Sequence, residues 1–269
     1  MSGRPASPGG VPPRPEDDVE MSFFEHVGEL RKRLLRALLG MVPAVAVAWI
    51  FKERLLEFLM KPWVIAWERR GLGRPRIHFA HPVEPFVAYL KIALVAGFIF
   101  ASPWVFWQLW QFVAPGLYRR EKRLAIPFVL GASVCFAGGA FFGYEVVFPV
   151  AFEMFLGLAG KLPSGNLTLE ATIMVGEYLS FATRMLLAFG VVFEIPVVVV
   201  LLAAMGLVTW RQLLRFGRWW VLVASVLSAF LTPPDVGSQL LMIGPLVVLY
   251  YLSVGLAALF GPRGARQEG

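Results

Sequence analysis

The chain has 269 residues, of which 58% are hydrophobic and only 16% are charged. Soluble domains carry a charge on about a quarter of their residues, and a chain of this length has no core large enough to hide so much apolar surface from water. These figures exclude a soluble enzyme and a disordered protein as descriptions of the whole chain. The net charge of +7 does not indicate nucleic-acid binding, because the basic residues cluster at the ends of apolar segments.

The apolar segments predict an all-α integral membrane protein with six transmembrane helices. Residues 1–21, rich in proline and glycine, predict a disordered tail; residues 22–252 form the membrane domain, and residues 253–269 form a C-terminal tail. The last two spans are predicted to be short and joined by a tight turn. The predicted spans are residues 34–51, 85–114, 124–150, 178–208, 216–231 and 236–252.

Basic residues set the predicted orientation of these spans. Most of them lie in the two tails, in the segment beside the start of the first span, in the connection after the second span and around the connection after the fourth. The positive-inside rule therefore places both termini in the cytoplasm. The first outer connection, residues 52–84, conflicts with the rule because it is itself strongly basic. An amphipathic stretch within it, residues 55–67, predicts a short helix lying along the outer membrane interface.

Motifs for catalysis and metal binding are absent from the sequence. His-Glu-x-x-His, Gly-x-Ser-x-Gly and the glycine-lysine pattern of a P-loop do not occur. The single cysteine, Cys135, lies in an apolar run and is expected to be a small core residue. We therefore expect no enzyme activity, no metal site and no cofactor.

Two carboxylates near the predicted cytoplasmic surface are candidate binding residues. Glu29 belongs to an amphipathic helix that begins with a capping box of Ser22 and Glu25 and runs into the first span. A membrane anchor with a Glu29–Arg33 pair explains this helix equally well. Glu121 lies among four cations in the connection after the second span, where a surface ion-pair cluster is the alternative.

A third carboxylate, Glu194, lies inside the fourth predicted span with apolar residues on both sides. A carboxylate at bilayer depth costs at least ~2.5 kcal/mol, and such groups usually face a cavity or a partner. Pro196 leaves the Val192 carbonyl without its helical donor and predicts a kink there. Gln239 is a second polar group in the membrane zone. A protonated Glu194 hydrogen-bonded inside the bundle is the structural alternative.

Four motifs occur in order along the chain: E-H-x-x-E-L-R-K-R-L at 25–34, F-V-A-P-G-L-Y-x-x-E-K-R at 112–123, A-F-G-x-x-F-E-x-P at 188–196 and L-T-P-P-D-x-x-S-Q at 231–239. Together they resemble the TatC family, the multi-span receptor subunit of the twin-arginine (Tat) protein translocase. The resemblance implies a cup-shaped bundle of six helices in the bacterial cytoplasmic membrane, with both termini in the cytoplasm.

The same resemblance implies a function and a set of site residues. Family members bind the twin-arginine signal peptides of folded proteins and export these proteins with TatA- and TatB-type single-span subunits, using the proton motive force. A multimeric receptor complex, formed by self-association, is expected. The implied signal-peptide site comprises Glu29, Glu121, His26, Leu30, Arg31 and Arg33. Contacts with the single-span partners are implied at Glu194 and Gln239, and the implied periplasmic turn contains Pro233, Pro234 and Asp235.

Two other functional classes stay open at this point. A proton-coupled secondary transporter would use Glu194 as its proton relay, and substrate uptake into proteoliposomes would reveal it. A purely structural membrane scaffold would tolerate the loss of Glu29, Glu121 and Glu194 alike, so neutral substitutions at all three positions would favour it.

Overall fold

A computed structural model describes residues 23–114, 125–161, 168–231 and 236–260. Within these ranges the chain is almost entirely helical, which confirms the predicted all-α class. Four two-residue strands form two small pairs: β1 (Ile77–His78) lies parallel to β4 (Ile173–Met174), and β2 (Gly160–Lys161) lies antiparallel to β3 (Thr168–Leu169). The helices are α1 (Phe23–Ile50), α2 (Lys52–Arg69), α3 (Glu84–Val113), α4 (Ala125–Phe142), α5 (Phe148–Leu156), α6 (Val175–Val192), α7 (Ile195–Ala204), α8 (Trp210–Leu231) and α9 (Val236–Phe260).

Five helical segments of the described chain are long and apolar enough to cross a membrane. They are Glu25–Ile50, Glu84–Val113, Ala125–Leu156, Val175–Ala204 and Gln239–Leu259, and they coincide with five of the six predicted spans. The remaining predicted span is the helix α8, whose first turns carry Arg211, Arg215 and Arg218. The chain is therefore an all-α, multi-span membrane protein.

The last two helices are longer than predicted, with 22 residues in α8 and 25 in α9. Thr209 and Gln212 start α8 early by a reciprocal capping box: the Gln212 N–H donates to Thr209 Oγ1 at 3.4 Å, and the Thr209 N–H donates to Gln212 Oε1 at 2.9 Å. Ser253 does not end α9, because its hydroxyl donates to the Leu249 carbonyl at 2.6 Å within the same helix. The sixth span, Gln239–Leu259, is therefore longer than predicted, and the helix α9 continues past residue 253, where the C-terminal tail was predicted to begin.

The helices α1 and α3 pack antiparallel along their whole length. His26 stacks on Phe112 at one end, and Trp49 meets Phe86 at the other, where the ring centroids are 5.6 Å apart. Gly97 permits this close contact, because a Cβ atom there would lie 2.7 Å from Cα of Val45. We call the end with the start of α1 the N-terminal end of the bundle, and the end with α2 the α2 end.

Two of the spans are interrupted by prolines. The third span passes from α4 to α5 through a π-helical turn, Gly143–Val147, just before Pro149. In the fourth span α6 ends at Val192 and α7 begins at Ile195, with Pro196 in its first turn. The predicted kink at Pro196 is thus present as a break in the helix, and Glu194 lies in that break.

The predicted amphipathic helix of the first connection is present as part of α2. Pro62 has no N–H to give to the Phe58 carbonyl, and the Tyr144 hydroxyl donates to that carbonyl at 2.7 Å instead. The Tyr178 hydroxyl donates to the Leu59 carbonyl, also at 2.7 Å. Trp63, only 1% exposed, fills the core beneath the helix. The third and fourth spans therefore hold α2 in a fixed rotation.

Candidate functional site

A polar cluster lies where the start of α1 meets the end of α3. Arg33 Nη2 lies 3.2 Å from Oε1 of Glu29, one helical turn earlier on α1. Arg33 Nη1 also donates to the Gln111 Oε1 of α3. The Glu29–Arg33 pair predicted for a membrane anchor is therefore present, but it engages only one of the two carboxylate oxygens.

The second oxygen of Glu29, Oε2, is buried and has no hydrogen-bond partner among the described residues. Gln108 on α3 is only 3% exposed, and its Oε1 is also buried without a hydrogen-bond partner among the described residues. A buried acceptor without a donor costs about 1–3 kcal/mol, and more when it is charged. The Glu29 carboxylate is therefore partly neutralised by Arg33 and held in place, and its second oxygen has no donor among the described residues.

The residues around Glu29 divide into two groups. The His26 ring stacks on Phe112 with 4.4 Å between the centroids, which fixes the first turns of α1 against α3. Leu30 and Arg31 point away from α3 and are exposed. A surface depression of about 470 Å³ borders the cluster and is lined by Glu25, Gly28, Glu29, Lys32, Arg33 and Arg36.

Two groups of predicted residues lie outside the described part of the chain. Glu121 belongs to residues 115–124, and the turn residues Pro233, Pro234 and Asp235 belong to residues 232–235. The joint site of Glu29 and Glu121 therefore stays a prediction. The connection that carries Glu121 begins directly after α3, two residues beyond the Phe112 ring that stacks on His26.

Glu194 has a different environment in the middle of the bundle. Its Oε1 is buried without a hydrogen-bond partner in the described part of the chain. The neighbouring Phe193 ring packs on Phe142 at 5.4 Å between centroids, and Ile195 packs into an apolar cluster. An apolar depression of about 460 Å³ separates α4 from α7 close by, with Cys135 and Pro196 in its wall.

Gln239 does not join Glu194 in one polar cluster. Its Nε2 donates to the Ser225 carbonyl of α8 at 3.3 Å. Ile195, next to Glu194, packs against two apolar clusters, one that contains Ala257 of α9 and one that contains Met242 of the same helix.

Gln108 and Gln111 are the residues of the Glu29 site that the sequence analysis missed. Both lie within α3, where they interrupt an otherwise apolar segment three residues apart. Polar side chains at this depth usually face the inside of a bundle, so two glutamines three residues apart indicate the buried face of α3. The contact of Gln111 with Arg33 on α1 was not predictable, because it depends on how the two helices pack.

The fold and the two buried carboxylates define a multi-span membrane protein with polar groups inside an apolar bundle. Residues 25–245 match the family described as Sec-independent protein translocase protein (TatC). A protein of that name from Desulforapulum autotrophicum is 40% identical over 252 residues, which cover 94% of this chain and 90% of that protein. Another, from Campylobacter jejuni, is 39% identical over 90% of this chain and 96% of its own.

A solved structure gives the same result. The crystal structure of a twin-arginine translocase receptor, TatC, superposes with a TM-score of 0.74 at 35% identity, covering 88% of this chain and 99% of that one. The chain belongs to the TatC family, and the resemblance seen in the four motifs is confirmed. It is a core subunit of the Tat translocase, a transport protein that works with other components of that system.

Proposed function

We propose that this chain is the receptor of the translocase and that it binds twin-arginine signal peptides at the N-terminal end of the bundle. The observation that carries the proposal is the buried Oε2 of Glu29, which has no donor among the described residues, while Arg33 holds Oε1 of the same carboxylate. Glu121, in the connection that begins beside this cluster, supplies the second carboxylate.

The chemistry of arginine suits such a pair of carboxylates. A guanidinium stays charged and offers a planar fork of N–H donors, whereas the lysine ammonium is a compact point charge. A fixed carboxylate with one free oxygen can therefore distinguish the two side chains by geometry. The cations around the site repel the peptide at long range, but attraction at short range grows as water leaves and the dielectric constant falls.

The orientation follows from the same proposal. The N-terminal end faces the cytoplasm of a bacterial cell, the protein lies in the cytoplasmic membrane, and Pro233, Pro234 and Asp235 form a turn on the periplasmic side. The clustering of basic residues at the N-terminal end supports this orientation. Signal peptides are presented from that side of the membrane.

In the same proposal, Glu194 and Gln239 contact the single-span TatA- and TatB-type subunits. A buried carboxylate oxygen without a donor attracts a polar group of another helix within the membrane. The apolar depression between α4 and α7 gives such a helix a place to pack beside Glu194. Several copies of the chain assemble with these subunits into the receptor complex.

Site-specific photo-crosslinking tests the location of the peptide. A photoreactive phenylalanine analogue at Leu30, 44% exposed beside Glu29, should crosslink to a twin-arginine peptide added to the full-length protein in nanodiscs. The same analogue at Val83, exposed at the α2 end, is the matched control and should not react. Equal crosslinking at both positions, or at Val83 alone, would contradict the proposed site.

A further inference from the structure

The exposed face of α2 carries cations that lie over aromatic rings. The Arg54 guanidinium lies 5.9 Å from the centroid of the Phe51 ring, and the Lys61 ammonium lies 5.8 Å from that of Phe58. In both pairs the cation follows the ring by three residues, a spacing that places two side chains next to each other on a helix. The second pair follows the first by seven residues, so both pairs lie on the same face of the helix.

A third cation at the start of α2 has the same environment. The Lys52 ammonium lies 5.3 Å from the Trp49 ring of α1 and 5.7 Å from the Tyr89 ring of α3. Aromatic rings and long basic side chains are typical of the membrane–water boundary, where the apolar body is buried and the polar tip stays wet.

Three stripes of different chemistry run along the exposed face of α2. Residues seven apart lie nearly above one another on a helix. The apolar stripe, in which each residue is about half exposed, consists of Phe51 (47%), Phe58 (47%) and Ile65 (49%). The basic stripe beside it consists of Arg54 and Lys61, and the acidic stripe beyond that consists of Glu57 and Glu68. The order around the helix is therefore apolar, basic, acidic.

The rotation and position of these stripes are fixed by the rest of the bundle. The opposite face of α2 is buried, with Trp63 in the core and two tyrosine hydroxyls bonded to the helix carbonyls. Only Phe51 separates α2 from the end of α1, a membrane-spanning helix that ends at Ile50. The start of the stripes therefore lies where the first span ends.

We propose that this face of α2 binds the phosphate headgroups of anionic phospholipids in the leaflet at the α2 end. Phe51, Phe58 and Ile65 enter the acyl-chain region, Arg54 and Lys61 contact the phosphates, and the acidic stripe faces water. The proposal accounts for two of the basic residues in the connection 52–84, because lipid phosphates neutralise Arg54 and Lys61. It depends on the membrane-spanning fold and not on the proposed receptor function.

Spin-label accessibility tests the orientation of the stripes. Ile65→Cys and Glu57→Cys would be labelled one at a time in a full-length Cys135→Ser background and placed in nanodiscs that contain phosphatidylglycerol. The label at 65 should be accessible to oxygen, which concentrates in hydrocarbon, and the label at 57 to a water-soluble nickel complex. Equal nickel accessibility at both sites would overturn the proposal.

A local lipid-binding measurement tests the role of the cations. A fluorophore at Ile65→Cys, quenched by brominated phosphatidylglycerol in competition with phosphatidylcholine, reports only the lipids next to α2. In Arg54→Gln/Lys61→Gln the preference for phosphatidylglycerol should fall by up to about fivefold for each cation removed. The control Arg74→Gln/Arg76→Gln removes equal charge from the same connection, away from the stripes, and should keep the preference. An equal fall in both pairs, or in neither, would overturn the proposal.

Discussion

Glu29 and Glu194 each keep one buried carboxylate oxygen without a donor in the described part of the chain, but their surroundings differ. Glu29 has Arg33 on its other oxygen and lies near the end of the bundle. Glu194 lies in a helix break among apolar residues and forms no ion pair with any described cation. The first carboxylate already contacts one guanidinium and suits a charged ligand, whereas the second, among apolar residues, is suited to a hydrogen bond with a neutral polar group.

The largest expected effect follows from removing the Glu29 carboxylate. A charge-assisted hydrogen bond is worth roughly 1.5–3 kcal/mol, so Glu29→Ala should weaken peptide binding about ten- to a hundredfold. Isothermal titration with a twin-arginine peptide measures the loss. Glu194→Ala is the control and should leave peptide affinity within about twofold. If the two variants lose affinity equally, the distinction between the carboxylates is wrong.

A change in helix packing should affect the Glu29 site while leaving the Glu194 site intact. A Cβ atom at Gly97 would lie 2.7 Å from Cα of Val45, so Gly97→Ala should force α1 and α3 apart and cost about 1–3 kcal/mol of stability. Thermal unfolding in detergent measures this cost. Gly131→Ala is the matched control, because a Cβ atom at Gly131 would meet nothing within 4 Å. An equal loss of stability in both variants would show that this contact is not tight.

The Glu194 site should respond to substitution through partner assembly. Hydrogen bonds between membrane helices are worth about 1–2 kcal/mol, so Glu194→Ala should weaken association with single-span subunits about five- to thirtyfold. Glu194→Gln keeps a hydrogen-bonding group without a charge and should retain more association. Co-purification of the subunits from membranes measures both variants. Unchanged co-purification with Glu194→Ala would contradict the assignment.

The smallest expected effect concerns Gln111, which accepts a hydrogen bond from Arg33 and so helps to hold the Glu29 carboxylate in place. Gln111→Ala should lower peptide affinity about fivefold, since a partly exposed hydrogen bond is worth about 1 kcal/mol. Gln111→Glu keeps an acceptor for Arg33 and should recover the affinity. Both dissociation constants come from the titration used for Glu29. Equal losses in the two variants would mean that Gln111 does not act through Arg33.

The sequence predicted the helical class, the positions of the membrane segments and the break near Pro196, because these depend on apolar length and local backbone chemistry. It also predicted the pairing of Glu29 with Arg33, which needs only the helical spacing of four residues. It did not predict that α9 extends to Phe260, because the predicted span ended at residue 252, whereas Ser253 lies within the helix and donates its hydroxyl to the Leu249 carbonyl.

Contacts between helices distant in the chain could not be predicted in this way. Gln111 meets Arg33 across 78 residues, and the Tyr178 hydroxyl meets the Leu59 carbonyl across 119 residues. Such contacts depend on which helix faces pack together, and an apolar membrane helix shows little difference between its faces.

The central claim is that the carboxylates at the N-terminal end recognise peptide arginines. A double-mutant cycle tests it most directly: wild type, Glu29→Ala, Glu121→Ala and the double variant, each titrated with a twin-arginine peptide and with its twin-lysine counterpart at fixed salt. The wild type should prefer arginine, each single variant should lose part of that preference, and the double variant should bind both peptides equally. Persistence of the arginine preference in the double variant would contradict the claim.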